Sequence, residues 1–517
     1  MSLPVTFLRR MLTAAAVLGM CGAMRAGAVA ISSVDVVNGT DAAKPLMLSD
    51  AAVLETQLDF FRGKSDTAAM REAMADAVLK HYQNAGWPVV DVAVTQGGKG
   101  RIIVEVQEGR FGEINVAGGS AWMRKAVFAD WSRRRDMPLT SESIAEGLAW
   151  LHRNPMHAGT VSFAPGAAPA TADATLTLQE RRPVKVYAGW GNDGAPPLDR
   201  DRFTLGMEAA DVLGVPSWLN LEGVSAVDFD EYHGGRGALR LFLPTHREVR
   251  LSGYWTEAES AAALPGFDSV SALEAWHASA RWIIPLPAWR GWRSDLGIGA
   301  DFFRYDSVVN VEDIGLAGRA DALHLAAGIQ AVRRSDVWQA GLDAEVAVSP
   351  GGVTNAADDE DHEALRSGAR AQYTLVRAGA WAQRELSGGW TLTGRMSGQW
   401  ASDPVLPLQE FSPAGGNGVR GFPTASVLGD SGVQGSVEIL TPLLPLPAAL
   451  TGLGIRAAAF VDAGHAHDGV TGDDSTIASA GAGLRLRWRE SAGMALDYGW
   501  RLSEPGGRIH LALRMEF

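Results

Sequence analysis

The chain ends on Arg508-Ile509-His510-Leu511-Ala512-Leu513-Arg514-Met515-Glu516-Phe517, in which every odd-numbered position from 509 onward is apolar. The positions between them are polar, charged or small. An alternation with a period of two places the two sets on opposite faces of a β-strand. Because the charged face cannot be buried, one face meets water and the other meets an apolar medium. This segment makes a transmembrane β-barrel the first hypothesis.

Similar alternating segments, separated by turn residues, fill the chain from Val184 onward, and Tyr254-Trp255 lies where an interfacial aromatic belt is expected. Seven short turns are predicted, at Gly214–Pro216, Pro244–Arg247, Pro285–Gly291, Arg333–Ser335, Glu385–Gly389, Pro442–Gly452 and Arg489–Gly493. Longer polar loops alternate with them and include Asp358–Glu363 and His465–Asp474. If the chain enters and leaves on one side, seven short turns and eight longer loops give about 16 antiparallel strands.

The residues before the barrel repeat one element order, strand-helix-helix-strand-strand, in two copies of roughly 75 residues. The first copy has a strand at Val34–Gly39, helices at Ser49–Phe61 and Asp66–Asn84 with a cap at Ser65 or Asp66, and a hairpin of Val90–Val94 with Ile102–Val106. The second copy has a strand at Glu113–Gly119, helices at Ala121–Arg133 and Ser141–Arg153, and strands at Thr160–Phe163 and Ala174–Leu178. The predicted fold class is therefore α+β modules followed by an all-β transmembrane barrel.

The N-terminus is typical of a secretory signal peptide, with Arg9-Arg10, an apolar run from Met11 to Met20 and small residues up to Ala30. Cleavage is expected after Ala30. The only cysteine, Cys21, lies inside this signal, so a disulfide framework is excluded. A lipoprotein signal at Cys21 is the alternative, but the bulky Met20 precedes the cysteine where a small residue is wanted. The predicted division is a signal peptide at 1–30, modules at 31–108 and 109–182, and a barrel at 183–517.

One arginine of the barrel region lies between glycines in a long loop, in Gly418-Val419-Arg420-Gly421-Phe422-Pro423. About 40 residues later Phe460-Val461-Asp462-Ala463-Gly464 places one acid in a strand-like run. A guanidinium in a protein-lined lumen favours a bidentate carboxylate, and a glycine lets the loop tip turn without a side-chain clash. The acid of this run is therefore a candidate partner for the loop arginine.

Several function classes are disfavoured by the composition and the motifs. The formal net charge of −13 argues against nucleic acid as a partner. Gly63-Lys64-Ser65 has Leu58 where a phosphate-binding loop needs its first glycine, so no nucleotide cofactor is expected. His465-Ala466-His467-Asp468 and the acidic run Asp358–Glu363 are interpreted as solvated loop residues, so no metal is expected. No catalytic set is found, and the protein is not expected to be an enzyme.

With two such modules before a barrel, the Val419-Arg420-Gly421-Phe422 motif in the sixth long loop, the Phe460-x-Asp462-x-Gly464 run and the terminal Phe517, the chain resembles two-partner secretion transporters. These are haemolysin secretion/activation proteins of ShlB/FhaC/HecB type, within the superfamily that includes barrel-assembly proteins. The resemblance covers nearly the whole mature chain. It implies that the loop folds back into the lumen and that Arg420 meets Asp462. It also implies an outer-membrane barrel with its modules, called POTRA domains, in the periplasm.

The resemblance further implies that the POTRA domains recognise an exported partner, a secreted protein of β-helical type, by adding an extended segment to a sheet edge. The partner would cross the pore unfolded, and folding outside would supply direction. Outer-membrane lipid and the barrel-assembly machinery, for insertion of the barrel itself, are the other expected partners. The chain departs from many family members because residues 31–65 leave room only for the first strand and helix of the first module, so a pore-plugging helix is not expected. The alternatives are a barrel-assembly or insertion factor and a passive porin-like channel.

Overall fold

The computed structural model describes residues 29–48, 51–180, 184–195, 198–212, 214–227, 229–243, 245–264, 267–311, 314–444, 452–489 and 491–517. The predicted signal peptide, including Cys21, lies outside them apart from its last two residues. The chain divides into two compact units. One contains the described residues up to 115 with 131–147 and 161–176, and the other contains 116–130, 148–160 and 177–517.

The first module contains β1 (Ser33–Asn38), α1 (Ala51–Leu58), α2 (Ala68–Asn84), β2 (Val90–Gly98) and β3 (Arg101–Glu108). Its sheet has the order β1-β3-β2, with β1 parallel and β2 antiparallel to β3. Helix α2 buries Met74, Val78 and Tyr82, which recur at helical spacing and face the sheet core. The cap of this helix is Thr67, whose side chain accepts a hydrogen bond from the Met70 backbone N–H. The predicted cap at Ser65 or Asp66 is therefore wrong.

The second module repeats this order with β4 (Arg110–Gly118), α3 (Ala121–Trp131), α4 (Ser141–Leu151), β5 (His157–Pro165) and β6 (Thr171–Glu180). Its sheet has the order β4-β6-β5. Helix α4 is capped by Thr140, whose Oγ1 accepts from the Ser143 backbone N–H at 3.0 Å. None of the helices in the described part of the chain has the length and apolar character that crossing a bilayer requires.

The other sixteen strands form one closed barrel of antiparallel neighbours. They are β7 (Val184–Gly191), β8 (Arg202–Ala210), β9 (Ser217–Ser225), β10 (Tyr232–Leu243), β11 (Arg247–Leu264), β12 (Phe267–Pro285), β13 (Trp292–Val311), β14 (Ile314–Arg334), β15 (Trp338–Pro350), β16 (Gln372–Glu385), β17 (Thr391–Ala401), β18 (Ser431–Leu440), β19 (Leu453–His467), β20 (Asp474–Trp488), β21 (Ala492–Arg501) and β22 (Gly507–Glu516). The barrel closes where β22 pairs with β7, from Ala512 opposite Gly191 to Glu516 opposite Tyr187. Each of the seven predicted short turns lies where one strand of this order ends and the next begins, although residues 445–451 of the turn Pro442–Gly452 lie outside the described residues.

Three details of the barrel differ from the sequence interpretation. Two of the eight connections expected to be long separate strands that end and begin only two residues apart, at 265–266 and 312–313, because alternation continues through β11 to β14. His465 and His467 were expected in a loop but belong to β19 for the same reason. The acidic run forms a short helix, α5 (Asp359–Leu365), which Asp358 caps. Its carboxylates suit a helix N-terminus, a signal that the sequence interpretation did not use.

The side chains of Tyr254 and Trp255 also point to opposite faces of the barrel wall. Tyr254 packs against the buried cluster of Phe303 and Tyr305, whereas Trp255 lies opposite Trp276, which is exposed on the other face. Only Trp255 therefore meets the expectation of an outward aromatic belt, because consecutive strand residues point to opposite faces.

Candidate functional site

The connection from β17 to β18, residues 402–430, carries the arginine motif and is named the pore loop. Its tip does not stay at the rim of the barrel. Arg420 contacts Glu438, which lies seven residues beyond the start of β18 at Ser431, a distance of about 23 Å along a strand. The residues that it reaches on β19 are buried, whereas their neighbour Val461 is 57% exposed on the opposite face. The tip is therefore folded into the lumen of the barrel.

Arg420 and Asp462 form a bidentate ion pair. The Nε and Nη2 atoms of Arg420 donate to the two carboxylate oxygens of Asp462 at 2.8 and 2.9 Å. The backbone N–H of Arg420 also donates to Asp462, at 3.1 Å. Arg420 is 3% exposed and Asp462 is fully buried. Three hydrogen bonds to one carboxylate fix both the side chain and the backbone of the loop tip.

Further charged groups on the wall, which the sequence interpretation missed, complete this site. Arg420 Nη1 donates to Glu438 at 2.6 Å and lies 3.5 Å from Asp497, and Nη2 donates to Ser436 at 3.2 Å. Arg485 donates to the same two acids, at 2.8 Å to Glu438 and 2.7 Å to Asp497. The two arginines therefore share Glu438 and Asp497, whereas, of the two, Asp462 binds Arg420 alone. The missed acids come from β18 and β21, and they share no sequence motif with the arginine.

The balance of charge keeps the arginine ionised in its buried position. Burial alone would lower the pKa of Arg420, since the charged form loses water. The hydrogen bonds and charges of Asp462, Glu438 and Asp497 outweigh burial and raise this pKa above its ordinary value. The loop tip therefore carries a fixed positive charge.

The run Phe460-x-Asp462-x-Gly464 presents three residues on the lumen face of β19, because alternate strand residues share a face. The Arg420 guanidinium lies 3.3 Å from the centroid of the Phe460 ring, a cation–π contact. A Cβ atom on Gly464 would come within 2.5 Å of Pro413 in the pore loop. Phe460 and Asp462 hold the guanidinium from two directions, and Gly464 leaves room for the loop.

The loop tip touches the wall where two glycines meet. Gly421 has a φ of +98°, and a Cβ atom there would lie 2.7 Å from the carbonyl oxygen of Gly499 on β21. A Cβ atom on Gly499 would lie 2.6 Å from Arg420 backbone atoms. The Gly421 backbone also bonds to two side chains, donating to His510 at 2.9 Å and accepting from Arg501 at 2.7 Å. Only glycine fits on both sides of this contact.

The apolar residues of the motif form a small core beside the charges. Val419 is fully buried and Phe422 is 4% exposed, and they cluster with Ala414 of the loop and Ile477 of β20. The four motif residues thus divide between apolar packing, ion pairing and close backbone approach.

The terminal Phe517, predicted as a barrel signal, follows the closing strand. Its backbone N–H donates to the carbonyl of Val186 at 2.8 Å, and its side chain is 61% exposed. Elsewhere in the described residues, no group of three or more His, Cys, Asp or Glu side chains is placed to hold a metal ion.

The fold is a closed sixteen-stranded barrel that follows two α+β modules, with an arginine loop folded into its lumen. The family model of the haemolysin secretion/activation protein ShlB/FhaC/HecB matches residues 171–486. The chain belongs to this family, and it is an outer-membrane transporter of the two-partner secretion type, with a secreted protein as its partner. The predicted family, fold class and location are confirmed.

Solved structures with the same fold include CdiB from Escherichia coli, with a TM-score of 0.77 and 17% identity over 98% of this chain and 93% of that chain. CdiB from Acinetobacter baumannii has a TM-score of 0.65 and 16% identity over 96% and 91% of the two chains. BamA from Haemophilus ducreyi, lacking POTRA domains 1–3, has a TM-score of 0.52 and 13% identity over 94% and 100%. No curated protein sequence matches the chain.

Proposed function

We propose that this transporter captures an unfolded segment of its secreted partner through the POTRA modules and passes it through the lumen, with the pore loop as the gate. The observation that carries the proposal is the buried ion pair of Arg420 and Asp462. A buried ion pair is a weak source of stability compared with apolar packing, because both charges lose water. A bidentate pair does, however, select one position of a long loop. This supports a role of Arg420, Asp462 and their neighbours in holding the gate closed.

Capture by the modules is supported by the edges of their sheets. The residues just before β1 are bridged by the segment near Lys64, to which Ile31 donates at 2.9 Å, and the start of β4 is bridged by the segment near Met137, to which Phe111 donates at 3.0 Å. The sheets end on β2 and β5 at their other sides, and within the described residues no further strand follows either in the sheet order. An unpaired edge can add an extended peptide through backbone hydrogen bonds without demanding one sequence.

The nature of the partner follows from the same geometry. A chain that binds a sheet edge and then crosses a lumen must be extended, so the partner travels unfolded. A partner of β-helical type suits this route, since its strands can stack one after another as they emerge outside. Folding outside would then give the transport its direction.

The membrane contacts and the processing of the chain belong to the same proposal. Outward side chains such as Val461, Leu205 and Trp276 meet outer-membrane lipid, and Phe517 is the signal by which the barrel-assembly machinery inserts the barrel. The proposed boundaries are a signal peptide at 1–30, POTRA domains at 31–108 and 109–182, and the barrel at 183–517.

The first experiment compares the proteins released by cells that contain the transporter with those released by cells that lack it. We expect one large protein to disappear from the medium while other outer-membrane barrels keep their amounts. A general fall in barrel proteins would instead indicate an assembly factor. An unchanged set of released proteins would overturn the secretion proposal.

Capture by β2 is tested with a photo-crosslinking residue at Ala93, an exposed position of this edge strand. A matched control carries the same residue at Glu72, an exposed position of helix α2. We expect the exported protein to crosslink at Ala93 and not at Glu72. Equal crosslinking at both positions would rule out edge addition at β2.

A further inference from the structure

A second arginine with buried acidic partners lies at the external mouth of the barrel. Arg366 belongs to the loop that joins β15 to β16, residues 351–371, and its side chain is 13% exposed. It donates to both carboxylate oxygens of Asp430, at 2.5 and 3.1 Å, and its Nη2 lies 3.2 Å from Glu410 and from Asp468. Its Nη1 also donates to the carbonyl of Val405 at 2.8 Å. We name Arg366 with its three acids the mouth cluster.

The partners of Arg366 come from two other loops. Val405, Glu410 and Asp430 belong to the pore loop, whereas Asp468 follows β19. Asp430 extends these links, because its carboxylate accepts from the backbone N–H groups of Val405 and Gly469, both at 2.7 Å. One side chain therefore joins the beginning and the end of the pore loop to the loops on either side of it.

Below the mouth cluster, the first residues of the pore loop are anchored in apolar surroundings. Leu406 is fully buried among lumen residues of β12, β13 and β14, which include Ala275, Phe303 and Ala320. Val405 is fully buried beside Tyr373 and Leu375 of β16. The tip of the same loop is bound to β18, β19, β21 and β22. In a closed barrel of sixteen strands, β13 and β21 stand half a circumference apart, so the pore loop spans the lumen from one wall to the other.

We propose that Arg366 is a positioning residue of the pore loop, and that the mouth cluster is a second lock on the pore that acts independently of the Arg420 site. This inference rests on the proposed function of the loop as the gate. The two locks hold different parts of one strap: Arg420 holds the tip, and Arg366 holds the base. A chain in transit has to displace both parts, because the loop crosses the lumen between Leu406, which packs against β12 to β14, and the tip, which binds β18, β19, β21 and β22.

The electrostatics explain why one arginine decides the state of the mouth. Three carboxylates converge on Arg366, and their side chains are 8%, 4% and 29% exposed for Glu410, Asp430 and Asp468. Removing the cation leaves like charges close together with little water to screen them. Unless a carboxylate takes up a proton, the loops then separate, because repulsion between the ionised groups is relieved when they reach solvent.

The test measures the ionic current of the purified full chain in a planar bilayer bathed in potassium chloride. Arg366→Gln removes the cation. Arg370→Gln is the matched control, because Arg370 lies in the same loop, is 58% exposed and pairs with the half-exposed Asp359. We expect the mean current of Arg366→Gln to rise several-fold above that of the wild type, with Arg370→Gln unchanged. Arg366→Lys, which keeps the charge without the fork, should restore most of the closed state.

A folded Arg366→Gln barrel with the wild-type current would overturn the proposal, with folding checked by heat-modifiable migration on a gel. If Arg366→Gln does not fold, Asp430→Asn serves in its place, since it weakens the bidentate pair with Arg366 and the hydrogen bonds from the Val405 and Gly469 backbones. It should also raise the current, and an unchanged current would overturn the proposal. Independence is measured by combining Arg366→Gln with Arg420→Ala. If the two locks are independent, the current of the double variant should be larger than that of either single variant. If the current of the double variant only equals that of the more conductive single variant, the two sites act as a single lock.

The current needs no partner protein, so it separates this inference from the proposed function. A higher current in Arg366→Gln establishes the second lock whatever the export assay shows. Export that is unaffected by both Arg366→Gln and Arg420→Ala would remove the pore loop from transport and leave the mouth cluster as a lock on ions alone.

Discussion

Arg420 and Arg366 both hold the pore loop in place through ion pairs with carboxylates, but the carboxylates come from different kinds of element. Arg420 is held by acids that strands carry at fixed positions on the wall, whereas Arg366 is held by acids that two other loops bring to it. The first site is rigid, because each partner belongs to a hydrogen-bonded strand. The second depends on the loops having already folded over the mouth. A site built on strands, such as that of Arg420, can fix where a loop binds. A site built from loops, such as the mouth cluster, can make several loops close together.

Among the changes that test this comparison, Asp462→Ala is expected to have the largest effect, a loss of export. The change leaves a buried guanidinium without its main partner, which costs about 3–5 kcal/mol in comparable sites. Export should fall at least tenfold while the barrel stays inserted, because a loop tip without its fixed seat no longer moves between one closed and one open position. Arg420→Ala should give the same defect. Asp474→Ala is the control, since Asp474 is a 63% exposed acid on β20. Full export by both Asp462→Ala and Arg420→Ala would remove the pair from the mechanism.

The next largest effect is expected from Gly499→Ala, measured as the mean bilayer current. The new Cβ atom would lie 2.6 Å from backbone atoms of Arg420, so the loop tip has to move away from the wall. The mean bilayer current should rise several-fold as the tip loses its seat. The same change at Gly493 on the same strand is the control, because a Cβ atom there meets nothing within 4 Å. Equal currents for the two variants would show that the tip is not held at Gly499.

The mouth cluster, in contrast to the wall site, should respond to pH. Burial raises the pKa of Glu410 from 4.5 to about 7; Arg366 opposes this shift, and Asp430 and Asp468 add to it. The closed mouth therefore binds a proton more tightly than an open mouth with a solvated Glu410. This contribution to closure is complete below about pH 4.5 and is lost as the pH rises through about 7. The current should increase between pH 5 and pH 8.5, and Glu410→Gln should remove most of that increase. A pH response that survives in Glu410→Gln would assign it to other groups.

The smallest effect is expected from Phe460→Leu, which keeps apolar volume beneath Arg420 but removes the aromatic face. A cation–π contact contributes about 0.5–2 kcal/mol, depending on how far it is desolvated. Export should fall only a few-fold, because the bidentate pair remains. Val461→Ala, at the outward-facing neighbour, should leave export at the wild-type level. A loss as large as that of Asp462→Ala would mean that the ring, and not the carboxylate, carries the site.

The sequence analysis reached the barrel because alternation is a local property that a strand displays wherever it lies. It predicted the seven short turns from local turn residues, and it expected eight longer loops, although two of these connections join strands that end and begin only two residues apart. The pairing of Arg420 with Asp462 came from a resemblance to known transporters. Glu438, Asp497 and Arg485 were missed because nothing in the order of residues tells which lumen-facing charges of separate strands will be neighbours.

The sequence alone determined the strand period, the two modules, the family and the arginine motif, since each depends on residues close together in the chain or on a short pattern. Only the tertiary structure decided which charges surround Arg420, that Gly421 faces Gly499, and that Arg366 gathers Glu410, Asp430 and Asp468. These contacts join residues from 18 to 102 positions apart. Barrel closure and the path of the pore loop bring them together, and both depend on the register of all sixteen strands.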